Sequence, residues 1–308
     1  MLYTLSTNPA LDLTLTVPQI HLGPVLRAVE VRREWGGKGF NVSRTLQGLG
    51  AQNVAMAFAA GHTGRALEEG LQETGILTDF IYVPGETRTN VVITEPDGRH
   101  IKVNQPGAAV SENDCAAFLQ RVASLAQPGD YWIITGSLPP GAGAGFYADL
   151  IRLVRNAGGH TLLDSSGSAL LAGLEACPDL VKPNQVEAEQ VVGYPVTTDA
   201  EAAAAAGEIA SRYGVEVALS LGKEGVLLAN STGKRHVRPP VVKVRTAVGA
   251  GDALVAGLVW ALSRGLDLWS AGRWGVAVAT THAIDDQLPA EPWPAVEDIF
   301  RRCEWVSC

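Results

Sequence analysis

Toward its C-terminal end the chain carries Thr246-Ala247-Val248-Gly249-Ala250-Gly251-Asp252, and an apolar run of helical character begins at Ala253. Small residues just before a helix start leave backbone N–H groups uncovered, and the helix dipole adds partial positive charge there. Negative charge developing on a phosphoryl group in transfer is stabilised at such a place. A carboxylate at the same helix start can accept the proton of an attacking hydroxyl. Asp252 therefore reads as a general base, with Gly249, Ala250 and Gly251 as an anion hole. A capping aspartate after a glycine turn is the other reading of the same residues.

Two further clusters fit that chemistry. In Trp35-Gly36-Gly37-Lys38-Gly39-Phe40-Asn41 the glycines admit a ligand close to the backbone. Lys38 supplies a point charge for a phosphate, and Asn41 supplies donors and an acceptor for sugar hydroxyls. A glycine turn with a solvated lysine is the competing reading. Neither GxxxxGK[ST] nor GxGxxG occurs in the chain. In Lys182-Pro183-Asn184-Gln185-Val186-Glu187, Asn184 and Glu187 share one face of any helix starting there. Their oxygens could hold hydrated Mg²⁺, which needs few protein ligands, or could simply form a capping box.

Smaller signals accompany these. Ser220-Leu221-Gly222-Lys223-Glu224-Gly225 ends an apolar strand, as a nucleotide-contacting turn or a plain hairpin. Thr135-Gly136-Ser137 ends another, and open α/β sheets bind ligands beyond the carboxyl ends of their strands. Arg88 opens an extended run, where it can fork a phosphate or stand as a solvated edge charge. Asp12 can bind sugar hydroxyls or face water.

The elements that must position these residues come in two textures. From about residue 53, short apolar runs precede segments of helical period: 54–60 then 63–74, and 131–135 then 145–156. The helical segment 199–213 leads into the apolar run 215–221. Repetition of that order predicts parallel strands with crossover helices, a three-layer α/β/α core. Residues 11–17 alternate apolar and polar, 25–34 read as extended, and 89–94 and 100–104 flank the turn Pro96-Asp97-Gly98. A helix over 39–50 separates the two extended pairs. They predict a small β-sheet at the core edge, acting as a lid that excludes water or as a dimerisation surface.

Bulk composition narrows the function classes. With 46% hydrophobic and 18% charged residues the chain can bury a large core. A net charge of −8 argues against nucleic acid or an anionic membrane as partner. Cys115, Cys177, Cys303 and Cys308 show no CxxC spacing, the histidines form no HExxH, and no apolar run reaches membrane-spanning length. The first residues lack the basic start of a signal peptide, so a reducing, cytoplasmic setting is expected. The segment from Glu291 onward, with Trp293 and Trp305, carries no pattern of its own.

Taken in order, Gly-Gly-Lys-Gly-x-Asn, Asn-x-x-Glu and Gly-Ala-Gly-Asp resemble the ribokinase-like (PfkB) family of carbohydrate kinases, from residue 1 to about 284. Asn8-Pro9-Ala10-Leu11-Asp12, Thr87-Arg88-Thr89-Asn90, Gly136-Ser137-Leu138-Pro139 and Ser220-Leu221-Gly222 are similar to its phosphofructokinase and tagatose-6-phosphate kinase branch. The resemblance implies one kinase domain over 1–308, with lid strands at about 11–34 and 87–104. It implies ATP-dependent phosphorylation of a ketohexose phosphate, foremost fructose 1-phosphate. Tagatose 6-phosphate and fructose 6-phosphate are the alternatives, and a non-catalytic sensor is a remote one. By resemblance Asp12, Arg27, Gly37, Lys38, Asn41, Arg88 and Ser137 bind the sugar phosphate, while Lys182, Asn184, Ser220, Gly222 and Gly225 meet ATP. Asn184 and Glu187 organise Mg²⁺, Asp252 is the base beside Gly249–Gly251, and a homodimer forms through the lid. Ala247 and Ala253 depart from the branch, which usually has Thr and Ser there, so a hydroxyl contact is in question.

Overall fold

The structure, a computed structural model, describes residues 1–285, 288–289 and 291–306; Cys308 lies outside them. Ten strands make one sheet, in the order Glu304–Val306, Gly233–Arg238, Val226–Asn230, Glu216–Ser220, Leu180–Val181, His160–Asp164, Tyr131–Thr135, Leu2–Ser6, Val54–Ala60 and Leu77–Val83. From Glu216–Ser220 to Leu77–Val83 all neighbours run parallel, and the other edge is antiparallel.

Parallel strands are covered on both faces, and the period of two divides their side chains between two layers. Met56 and Phe58 enter a core with Phe118, Phe146 and Ile209, beneath helices Glu112–Leu125, Phe146–Asn156 and Asp199–Tyr213. Their neighbours Ala55 and Ala57 point the other way, onto Phe40 and Leu67 of helices Lys38–Gly48 and Gly61–Glu73. Helices Ala250–Leu262, Leu268–Asp285 and Trp293–Arg302 bury Val255, Ala277 and Val296 in the core of Leu2, Ile133 and Leu162. The expected three-layer α/β/α arrangement is what the chain adopts. Among the described residues no helix is long and apolar enough to cross a membrane.

A second sheet has the order Glu30–Gly36, Ala10–Thr16, Arg88–Thr94, His100–Val103. Its two outer pairings are antiparallel, and Ala10–Thr16 runs parallel to Arg88–Thr94. Gly98, at φ 90°, turns the hairpin. The expected extended stretch 25–34 is displaced: pairing starts at Glu30 and runs on to Gly36. All seven residues of Ala10–Thr16 are matched by Glu30–Gly36, so residues 25–28 have no partner left.

Several strands of the large sheet were not read from the sequence pattern, Leu2–Ser6 and Glu304–Val306 among them. Leu2–Ser6 lies deep in the large sheet although Thr4 and Ser6 break its apolar run; Thr4 Oγ1 and Ser43 Oγ satisfy each other at 2.5 Å. Glu304–Val306 adds the final antiparallel edge, with the Arg235 guanidinium over the rings of Trp269 and Trp305. The preceding helix packs Trp293 against Trp260, with ring centroids 4.7 Å apart.

Candidate active site

Because seven strands run parallel, their carboxyl ends open on one edge, and there the polar residues following them collect. His160–Asp164 ends in a carboxylate that is 1% exposed, Leu180–Val181 leads into buried Lys182, and Tyr131–Thr135 leads into Gly136 and Ser137. Both Lys38 and Lys182 contact Oδ1 of Asp164, at 3.1 and 3.3 Å. Burial opposes the charge on Lys38, but Asp164, Asp252 and Glu187 outweigh it and hold its pKa above the ordinary lysine value.

Glycine 36 ends its strand and Lys38 starts the following helix, with Gly37 as N-cap. A Cβ on Gly36 would sit 2.1 Å from Asp12 Oδ2, so only glycine lets Asp12 close over the loop. Asp12 Oδ1 accepts from Asn90 Nδ2 at 2.8 Å, tying the centre of the small sheet to this point. Asn41, one turn into the helix, donates from Nδ2 to Asp252 Oδ2 at 2.8 Å and accepts at Oδ1 from Arg44 Nη1 at 2.7 Å. Arg44 also donates to the backbone carbonyl of Trp35.

Asp252 is the third residue of helix Ala250–Leu262, whose N-cap Gly249 takes the left-handed conformation at φ 77°. Its carboxyl is buried, and burial together with the charge of Asp164 raises its pKa to about 6, against Asn41, Lys38 and Lys182, which pull it down. The preceding loop is open to solvent, with Val248 80% exposed. Thr246 Oγ1 accepts from Val248 N at 3.1 Å, so its hydroxyl shapes this turn. Ala250 N donates to Ala247 O at 3.3 Å, and as first-turn groups the Gly251 and Asp252 amides have no partner within the helix. The Lys182 ammonium lies 4.0 Å from where a Cβ on Gly251 would stand, which adds positive charge beside those amides.

Asn184 and Glu187 form a reciprocal capping box at helix Gln185–Val192, each side chain accepting from the other's amide at 2.9 Å. That bond uses one oxygen of Glu187. Ser220 lies beside Asn184 in an isolated parallel bridge, and its amide and hydroxyl donate to Pro183 O. Gly222 and Gly225, at φ 58° and 92°, make the turn into antiparallel Val226–Asn230, so this segment is a hairpin at the same edge.

A cavity of about 250 Å³ opens under the small sheet, lined by Asn8, Gly37, Lys38, Arg88, Gly136 and Ser137 among others. Arg88 donates to the carbonyls of Asn8, Pro9 and Gln105. A guanidinium has five N–H groups, so two of them remain for a ligand. Arg27 stays exposed between the first two strands of the small sheet and does not line the cavity.

Sequence reading missed two participants. Asp164, the buried counter-ion of both lysines, closes the apolar run Leu162-Leu163, and a carboxylate ending a core strand was the available signal. Arg44 stands three residues beyond Asn41 on the same helix face, a spacing visible in the sequence.

A family model for the pfkB family carbohydrate kinases matches residues 6–284. The chain is 37% identical to a 1-phosphofructokinase of Vibrio cholerae serotype O1, covering 90% of this chain and 87% of that one. It is 33% identical to a tagatose-6-phosphate kinase of Staphylococcus epidermidis, over the whole of both. Phosphofructokinase-2 from Escherichia coli, solved in complex with fructose-6-phosphate, superposes with TM-score 0.89 at 31% identity, covering 97% of this chain and 98% of that one.

Proposed function

Since the chain belongs to the pfkB family of carbohydrate kinases, we propose that it transfers the γ-phosphoryl group of ATP to the 6-hydroxyl of fructose 1-phosphate. The observation that carries this reading is Asp252, a buried carboxylate with a pKa of about 6 at an open helix N-terminus. At neutral pH it is ionised and still basic enough to take a proton in the transition state.

In the proposed reaction the sugar 6-oxygen forms a bond to the γ-phosphorus as the bond from that phosphorus to the β,γ-bridging oxygen breaks. The hydroxyl proton passes to Asp252, and ADP leaves. The Gly251 and Asp252 amides and the Lys182 ammonium stabilise the charge on the transferring group, so positioning does most of the work. Lys38 and Arg88, in the cavity wall, bind the phosphate that the sugar already carries, with Asp12, Gly37, Asn41 and Ser137 on its hydroxyls. Ser220, Gly222 and Gly225 border the ATP side.

Mg²⁺ fits the donor set at this edge, because it takes hard oxygen ligands and few from protein, and Glu187 keeps one carboxylate oxygen clear of the capping box that engages its other oxygen and Asn184 Oδ1. Bound there, it would neutralise phosphate charge during transfer. The small sheet serves as the lid of this site. Its exposed Val31, Ile101 and Val103 suit a homodimer contact, and the free cysteines Cys115, Cys177 and Cys303 suit the cytoplasm.

The full-length match to the tagatose-6-phosphate kinase supports a second reading, with tagatose 6-phosphate as acceptor. Coupled ADP-release assays on fructose 1-phosphate, tagatose 6-phosphate and fructose 6-phosphate separate the two. We expect the highest kcat/KM with fructose 1-phosphate. A higher value for either 6-phosphate replaces that substrate, and no turnover on any of the three removes the kinase reading.

A further inference from the structure

We infer that Arg44 is a positioning residue for the base: it fixes the side-chain amide of Asn41 so that the NH₂ group, and not the carbonyl, faces Asp252. Arginine carries five donors and no acceptor. An asparagine oxygen 2.7 Å from Arg44 Nη1 can therefore only be accepting, and the amide must then turn its nitrogen to Asp252 Oδ2 at 2.8 Å. A reversed amide would set its oxygen against the carboxylate and its NH₂ against the guanidinium, two repulsive contacts in a buried place.

Arg44 is itself held. It donates to the Trp35 carbonyl, at the end of the outer strand of the small sheet, and it is half-buried, with Glu34, then Asp12, then Asp252 as the acidic groups acting on it. Asp252 also feels the charges of Asp164, Lys38 and Lys182, while the side-chain hydrogen bonds of Asn41 among the described residues are those with Asp252 and Arg44. The relay thus runs from the small sheet through Arg44 and Asn41 to the carboxylate.

The inference rests on Asp252 as base, and a readout independent of turnover separates the two. With Asp252 observed by ¹³C NMR through its side-chain carboxyl, the free enzyme is titrated as wild type, Arg44→Met and Arg44→Lys, alongside pH–rate profiles. Losing the oriented donor leaves the carboxylate less stabilised, so its pKa rises by roughly one pH unit. The acid limb of kcat/KM moves up with it, and kcat near that limb falls roughly tenfold with KM for ATP unchanged. Arg44→Lys keeps the charge but cannot fork to both Asn41 and Trp35, so it gives the same shift at smaller size. In an Asn41→Ala background either substitution has little further effect.

An unshifted Asp252 titration in Arg44→Lys overturns the positioning role, as does a full additional loss in the Asn41→Ala background. Should Arg44→Met not fold, Arg44→Lys decides alone by the same criterion. A shifted carboxyl titration with an unmoved pH–rate profile keeps the relay and removes the base assignment instead.

Discussion

Asp252 and Asp164 carry like charges on the same polar edge, and the chemistry depends on their unequal surroundings. Asp164 has two ammonium groups on one oxygen, whereas Asp252 has a single neutral donor in Asn41. Burial and the charge of Asp164 therefore raise the proton affinity of Asp252, which suits it to the proposed role of base. Replacing it with Asn keeps the shape and the bond partner but removes the proton acceptor. Asp252→Asn is expected to lower kcat by roughly a hundred- to ten-thousand-fold with KM values little changed. Single-turnover measurements check this, and near-normal turnover would refute it. With Asp252 as the proposed base only its ionised form can take the proton, so kcat/KM should fall as pH drops through about 6. A profile flat down to ordinary carboxylate pKa values counts against the raised pKa.

At the scale of elements, the site depends on a strand that ends where a helix begins. Glu30–Gly36 brings Gly36 against Asp12, and helix Lys38–Gly48 immediately presents Lys38, Asn41 and Arg44 toward the large sheet's open edge. Helix and small sheet meet with no room for a methyl group: a Cβ on Gly36 overlaps Asp12 Oδ2. Gly36→Ala must displace Asp12 and with it the bond to Asn90. The expected result is a higher KM for the sugar phosphate than for the parent, with KM for ATP nearly unchanged. Equal increases in both would show that the loop serves both substrates. The capping box of Asn184 and Glu187 shows the same economy, since the turn that starts a helix also leaves a carboxylate oxygen at the edge.

At the scale of the molecule, the small sheet is the part with an unfinished surface. His100–Val103 is an edge strand with unpaired backbone on one side, and Ile101 and Val103 are 42% and 56% exposed. An apolar open edge invites another strand or another copy. If a second copy covers it, Ile101→Glu together with Val103→Glu should convert a dimer to monomers in sedimentation velocity. A wild-type chain that sediments as a monomer, or a variant that stays dimeric, would exclude this surface.

Much of this was legible from residue types and periods. Alternating apolar runs and helical segments specified the layered core, because burial on both faces demands those patterns. Glycines before Lys38 and before Asp252 marked the ligand-facing turns, because only small residues leave the backbone open there. Contacts over long sequence distance were not legible. Nothing local says that Asp164 receives Lys38 and Lys182, or that Thr4 and Ser43 satisfy each other to let a half-polar strand lie in the core. The pairing that displaced the strand of residues 25–34 to Glu30–Gly36 is equally non-local. For Asp252 the sequence alone determined the position at a helix start, where cap and base are indistinguishable. Only tertiary structure supplies what favours the proposed base, because a carboxylate's proton affinity depends on burial and on charges brought from Lys38, Asp164 and Lys182, each far away along the chain.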